Sequence, residues 1–416
     1  MLRELYMAES TRDRIMNAAF SFYEKPVFEN VSLSQIAQKV GISKAAIFKH
    51  FASKDELTAA MSDRLYDDIA AAVTGELARY SDRQAAVPHI VDFLAGHRPY
   101  IFFLLCTKQN FTENSFMKEL RKRGIRDFDQ IYADDGSVKD RRRYFLSIFF
   151  AITLLVFIMG KFRMDDSGKT LPDVNNFSCS LARFLSQGIG TPGAGCSSAR
   201  LDELDRKCSQ GMDFLAPAGR DFIALATVLS VSGFQRLTVE KIAAELGMAK
   251  SSLYFRYENK LDLVCSVIRG ELRNLYNLIL HNMEGLQDTA EKRYAMFRTE
   301  LLYFLQRPQF CNVMKALFSE MGMPESSGQD AQGKEAFGAE FYGLMDSAQL
   351  LPGIPGFGES ESVRKLSLCW FFLLPWVSYI HCRCNDFPEA VIQQSARYVY
   401  ALAEQGTGAA YQEVVA

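Results

Sequence analysis

Apolar positions recur at helical spacing along nearly the whole chain, and one version of the pattern occurs twice. Leu33, Ile36, Ala37 and Val40 fall at i, i+3, i+4 and i+7, as do Val239, Ile242, Ala243 and Leu246, so each set lines one helical face. A hydroxyl residue precedes each run (Ser32, Thr238) and a glycine follows it (Gly41, Gly247). Ser32 with Gln35 spells a capping box, whereas Lys241 cannot close one with Thr238. Glycine just past a helix takes the left-handed conformation at least cost. A second short helix is predicted from Ser43 and from Ala249, with Ile47 and Phe51, or Leu253 and Tyr257, turned inward. A third is predicted from Ser53 with Glu56, echoed by Asn259 with Asp262. Residues 31–57 and 237–263 align without a gap at an offset of 206, with six identities in 27 positions. Such a repeat marks a duplicated structural unit.

The helical pattern continues downstream. It predicts an amphipathic segment near 59–80, a helix near 84–96, a break at His97-Arg98-Pro99 and an apolar run Tyr100–Cys106. The Arg-Pro break recurs at Arg307-Pro308, so the duplication reaches beyond the first motif. Residues 144–159 and 366–379 are almost wholly apolar, each with one more helix after it, near 173–187 and 388–405. A membrane span normally takes about 18 or more such residues. The recurrence favours burial inside a helical bundle instead. Pro375 predicts a kink. A Gly/Ser/Pro linker follows from Gly188. Its Gly188, Gly190 and Gly193 match G-x-G-x-x-G, but they follow a helix and Pro192 interrupts them, so the dinucleotide reading lacks its strand and turn. The tail after Gln405 reads as disordered.

The outward positions of the second short helix carry the chemistry. From Gly41 to Lys54 there are three lysines and no acid; from Gly247 to Lys260 there are three cations and one acid, Glu258. Two helices across a tight turn, the second bearing cations, suit a DNA major groove. The alternative is an ordinary helical hairpin whose lysines are a solvated face; repetition of both turn and cations favours DNA. Net charge is −2, so any DNA affinity is local. Phosphate anchors are Lys44, Lys54, Lys250, Lys260 and the helix N-termini. Base-edge candidates are Ala45, Ala46, Lys49, Ser251, Ser252 and Arg256. Phe48 and Tyr254 are placed against the sugar-phosphate backbone, and His50, Thr238 and Phe255 complete the set.

Nine scattered cysteines suit a reducing compartment rather than a disulfide framework, and the N-terminus has no apolar core of a secretory signal, so a cytoplasmic protein is expected. Cys382 and Cys384 beside His381 are the one cluster with metal or redox potential, against the reading of ordinary thiols at a helix end. No P-loop, H-E-x-x-H, G-x-S-x-G or nucleophile–base pair is present. No enzyme activity, cofactor or metal is expected.

Ile36-Ala37, Gly41, Ile47-Phe48-x-His50-Phe51 and Ser53-Lys54 resemble the DNA-binding head of TetR/AcrR-type transcriptional regulators. Ile15, Ala18, Ala19, Tyr23 and Phe28 resemble its first helix; Ala224, Leu229, Gly233 and Phe234 match it less completely. The chain departs from the family at Val27, Ala46 and Ser252, where glycine is usual, and at Arg256. The resemblance implies an all-α chain of two tandem units. These are a first helix-turn-helix domain over 1–57, a first ligand and dimerisation body over 58–187, a linker over 188–206, a second head over 207–263 and a second body over 264–408. It further implies that the last helices of each body pair as an intramolecular pseudo-dimer, with a further homodimer possible. Each body would enclose a small apolar or amphipathic effector, lined by Phe93, His97, Tyr100 and Phe103, and by Tyr303, Phe304 and Phe310. The function implied is a repressor reading an asymmetric double-stranded operator, with no membrane partner. The alternative is a helical interaction or scaffold protein whose heads no longer bind DNA.

Overall fold

A computed structural model describes residues 10–24, 31–80, 83–106, 115–125, 138–166, 176–190, 196–233, 236–321, 354–384 and 386–415. Among these residues the secondary structure is helical, apart from one isolated bridge between Ile354 and Gly358. The chain divides into two compact units, Met1–Phe128 and Asp129–Ala416.

The first unit holds α1 (Thr11–Phe20, continued by a 3-10 turn to Tyr23), α2 (Leu33–Val40), α3 (Lys44–Ile47), α4 (Lys54–Arg79), α5 (Arg83–Gly96), α6 (Arg98–Cys106) and α7 (Ser115–Lys122). The expected third head helix and the amphipathic segment after it are one continuous helix, α4. Its buried Leu57, Met61, Leu65 and Ile69 form a single stripe, so nothing in the sequence interrupts it. The predicted break falls at His97, and Pro99 lies in the first turn of α6, where a missing N–H costs nothing.

The second unit holds α8 (Val138–Asp166), α9 (Phe177–Gln187), α10 (Ser198–Gly211), α11 (Arg220–Ser232), α12 (Val239–Glu245), α13 (Lys250–Tyr254), α14 (Lys260–Met283), α15 (Thr289–Gln306), α16 (Pro308–Met321), α17 (Glu361–Cys384) and α18 (Glu389–Val415). Two helices from each half of the sequence, α8 and α9 with α17 and α18, pack into one bundle. Trp370 at its centre meets Phe149 and Phe184 edge-on, at 5.9 and 5.0 Å, and its Nε1 donates to Thr153 Oγ1 across 2.9 Å. The long apolar run of α8 is therefore core: Phe145, Phe149, Ile152, Val156 and Phe157 are all buried. Among the described residues no helix is long and apolar enough to cross a membrane.

Three details differ from the sequence reading. Helices α8 and α9, expected with the first body, belong to the second compact unit, because their apolar faces are covered by α17 and α18. The second half of the expected linker is helical: Ser197 caps α10, which lays Leu204 and Cys208 against α15. The chain after Gln405 continues in helix to Val415, beyond a kink at Gly406.

The glycines read as a nucleotide-type loop have a packing role, with Gly193 outside the described residues. Gly188 and Gly406 end α9 and the first segment of α18 with nearly the same backbone angles, φ 67°, ψ −159° and φ 66°, ψ −166°. Their contact is reciprocal. A Cβ on Gly188 would sit 2.6 Å from the Ala403 carbonyl oxygen, and one on Gly406 would sit 2.4 Å from the Ser186 carbonyl carbon. Ile189 and Gly190 donate their N–H groups to the carbonyls of Ala403 and Glu404 at 2.9 and 2.8 Å.

Candidate nucleic-acid interface

Each head is built by the same local rules. In the first, Ser32 accepts from the Gln35 N–H while the Gln35 side chain accepts from the Ser32 N–H, completing the box. Gly41 then turns left-handed at φ 78°, and Ile42 N–H closes on the Ala37 carbonyl. In the second, Thr238 caps α12, Gly247 turns at φ 65°, and Met248 N–H closes on the Ala243 carbonyl. Ser43 caps α3, whereas Ala249 has no side chain to do so for α13. The next helix is capped by Ser53 and by Asn259. The reciprocal bonds from Glu56 and Asp262 go one residue earlier than a standard box, to the N–H groups of Ala52 and Glu258. An arginine on the first helix of each head fastens the end of the second: Arg14 donates to the Val40 carbonyl and Arg220 to the Leu246 carbonyl, 206 residues on.

The second helix of each pair is short, and the residues singled out on it for DNA contact are exposed or half-exposed. In α3 and the turn after it, Lys44, Ala45, Phe48 and Lys49 are exposed, and Ala46, His50 and Lys54 are half-exposed. Ile47 and Phe51 are buried, and Arg12 seats this turn by donating to the His50 carbonyl across 2.6 Å and lying over the Phe51 ring at 4.2 Å. In the second head Lys250, Ser251, Ser252, Tyr254, Phe255 and Arg256 are exposed, with Lys260 half-exposed. Thr238 is exposed as well, with its hydroxyl oxygen accepting from the Lys241 N–H.

The two surfaces differ in charge. Lys44 and Lys49 form no ion pair among the described residues, so both ammonium groups face solvent. Lys250 is paired with Glu240, whose carboxyl it holds down at about 2, and its ammonium lies over the Tyr254 ring at 5.3 Å. Arg256 is paired with Asp221 at 3.3 Å, touches the Met248 sulfur at 3.9 Å and lies over the Tyr257 ring at 5.4 Å. The signal for these pairings was present in the acids Glu240 and Asp221, but they lie on other helices of the head.

Residues 15–61 match the family described as "Bacterial regulatory proteins, tetR family", and residues 224–267 match it again. Both heads are TetR-type DNA-binding domains. The chain thus carries two TetR-type heads in tandem. A relative, the nucleoid occlusion factor SlmA of Pasteurella multocida (strain Pm70), is 22% identical over 143 residues, which is 34% of this chain and 71% of that protein.

Behind each TetR-type head the effector candidates pack tightly. In the first unit Phe93, His97 and Tyr100 stack in sequence, at 4.1 and 5.3 Å, and Phe20 of α1 meets Tyr100 and Phe103 at 4.7 and 5.4 Å. In the second Tyr303, Phe304 and Phe310 are fully buried, and Phe310 lies 6.5 Å from Phe222 of α11. These aromatics thus join body to head. A polar hub missed by sequence reasoning adds to the join. In the first unit the Tyr100 hydroxyl donates to Asp68 of α4, and Arg64 links Asp68 to Asp13 of α1. In the second, Glu271 of α14 accepts from the Tyr303 hydroxyl and the Gly219 N–H, and is paired with Arg307, which donates to the Ala216 carbonyl just before α11. Burial raises both tyrosine hydroxyls well above their ordinary range, so they stay protonated donors.

Among the described residues no group of three or more His, Cys, Asp or Glu could hold a metal. Cys382 is buried, its thiol pushed up to about 12 by desolvation, while Cys384 is exposed.

Proposed function

We propose that this chain is a single-chain repressor that grips an asymmetric operator with two unequal heads. The carrying observation is the charge difference at one repeat register: Lys44 and Lys49 lack acid partners among the described residues, whereas Lys250 and Arg256 are engaged by Glu240 and Asp221. Unpaired lysines release counterions from DNA directly; paired ones must first give up a carboxylate. The first head then supplies most of the phosphate affinity, and the second contributes side-chain contacts. Ser251 and Ser252 in place of Ala45 and Ala46 favour a different half-site. The bundle of α8 and α9 with α17 and α18 acts as the pseudo-dimer interface, so one chain supplies both heads.

Release follows from the join between head and body. A small apolar or amphipathic effector that separates Phe20 from Tyr100 and Phe103, or Phe222 from Phe310, would free the head helix from its seat. Such a ligand shifts the population only by its preference for the form that does not bind DNA. In vitro selection of DNA by the full chain tests the operator: two dissimilar half-sites are expected. Selection of a perfect palindrome would overturn asymmetry. A salt titration of Lys44→Ala should give a shallower slope than the parent, by about one ion; an unchanged slope would remove the first head from the DNA.

A second reading, a scaffold whose second head has left DNA, draws on Phe255, which is 93% exposed beside two neutralised cations. Selection of one half-site only, indifferent to Lys260→Ala, would favour it.

A further inference from the structure

We infer that the second head reads the 5-methyl group of a pyrimidine through a hollow between Phe255 and Met248, a discrimination the first head lacks. This rests on the operator reading above. Met248, Ser251, Ser252, Phe255 and Arg256 line one shallow hollow on the outer side of α13. Its walls are chemically mixed in a telling way. Phe255 stands 93% exposed, with no ring contact among the described residues, so it gives little to the core of the head. Met248 is 37% exposed and supplies the facing wall. Arg256 would ordinarily reach for guanine, but Asp221 at 3.3 Å and the Met248 sulfur at 3.9 Å hold it back as a fixed edge. The two serines are small enough for the α13 backbone to approach a groove floor.

In the major groove the one apolar group a base pair offers is the methyl on C5 of thymine; guanine offers two acceptors and adenine a donor and an acceptor. A hollow with apolar Phe255 and Met248 walls and its cation tied back fits that methyl group better than a purine edge. The 206-residue offset places Lys49 and Ile42 where this head has Phe255 and Met248, so the first head carries a charge at the decisive position. The same methyl group occurs on 5-methylcytosine, in the same place.

The test uses the full chain and the DNA it selects. Each thymine of the selected site is replaced by uracil, which removes the methyl and keeps the pairing, and affinity is read by gel shift at fixed salt. The expected result is a loss of about fourfold at one position in the second half-site, the equivalent of one buried methyl group. Phe255→Ala should abolish that sensitivity, and so should Phe255→Lys, which installs the first head's residue on an exposed site. Cytosine and 5-methylcytosine at the same position then separate the two sources: a gain on methylation assigns the hollow to either 5-methylpyrimidine, and no gain assigns it to thymine. Specific DNA binding with no uracil-sensitive position, or with sensitivity undiminished in Phe255→Ala, would overturn this inference and leave the regulator reading standing. Failure to select any DNA would overturn both.

Discussion

The Tyr303 hydroxyl donates to Glu271 Oε2 across 2.8 Å, and both residues are buried. The counterpart in the first unit, Tyr100 with Asp68 at 2.5 Å, lies nearer solvent, since the Asp68 side chain is 43% exposed. The same device therefore operates in two dielectric settings, and its removal should cost different amounts. Tyr303→Phe takes the short hydroxyl donor from a buried carboxyl group left with Arg307 and the Gly219 N–H, and should lower stability by about 1–3 kcal/mol. In Tyr100→Phe water can replace the lost donor, and the loss should stay under about 1 kcal/mol. Urea unfolding of the two variants, side by side, checks the ordering.

Glu300 lies fully buried on α15, and its carboxyl oxygens have no hydrogen-bond partner among the described residues. Burial raises its pKa well above the ordinary value. The folded chain thus holds a proton that the unfolded chain loses near pH 4.3. Stability is fully present below that pH and falls as pH rises toward the folded value, with a slope of up to about 1.4 kcal/mol per unit. Glu300→Gln should flatten this slope and raise the melting temperature at pH 7 to 8. Equal pH profiles for parent and variant would contradict the argument.

Arg293 and Glu404 form a bidentate pair, at 2.5 and 2.6 Å, between α15 and α18. Desolvation raises the Glu404 carboxyl more than Arg293 lowers it, so the pair is costly to bury and costlier to break. Arg293→Ala should lose about 3–5 kcal/mol, while Arg293→Met with Glu404→Leu should lose far less. Thermal melts of the single and double variants decide this.

Glu240→Gln should free Lys250 for phosphate. The expected outcome is tighter binding to non-specific DNA at low salt, with the salt slope steeper by about one ion. An unchanged slope would mean that Lys250 does not reach the DNA.

Much of this was legible in the sequence because it is local. The Gly41 and Gly247 turns, the Ser32 box and the Ser53 and Asn259 caps depend on residues at most a few positions apart. Burial of α8 was legible from its apolar twin at 366–379. What escaped was of two kinds. The α10 helix was hidden by its polar composition, although Ser197 followed by Leu201, Leu204 and Cys208 at helical spacing could have marked it. The pairings of Lys250 with Glu240, Arg256 with Asp221 and Tyr303 with Glu271 join separate helices, and no local pattern encodes them. The aromatic candidates were singled out as lining an effector site, and sequence could not tell that Phe20 and Phe222 of the heads would be their neighbours.

Gly188 and Gly406 meet inside a single chain, so closure of the bundle is a folding step and not an encounter between molecules. Its equilibrium is unimolecular, and dilution that would dissociate a pair of separate subunits leaves it intact. On the proposed single-chain reading, occupancy of a DNA site should follow the first power of chain concentration, without the threshold of an assembling dimer. The genetic consequence is separate. In a homodimer every change is made on both sides of the axis at once, whereas here Gly188 and Gly406 are encoded independently. Either half can drift toward a new task while the other keeps the old one.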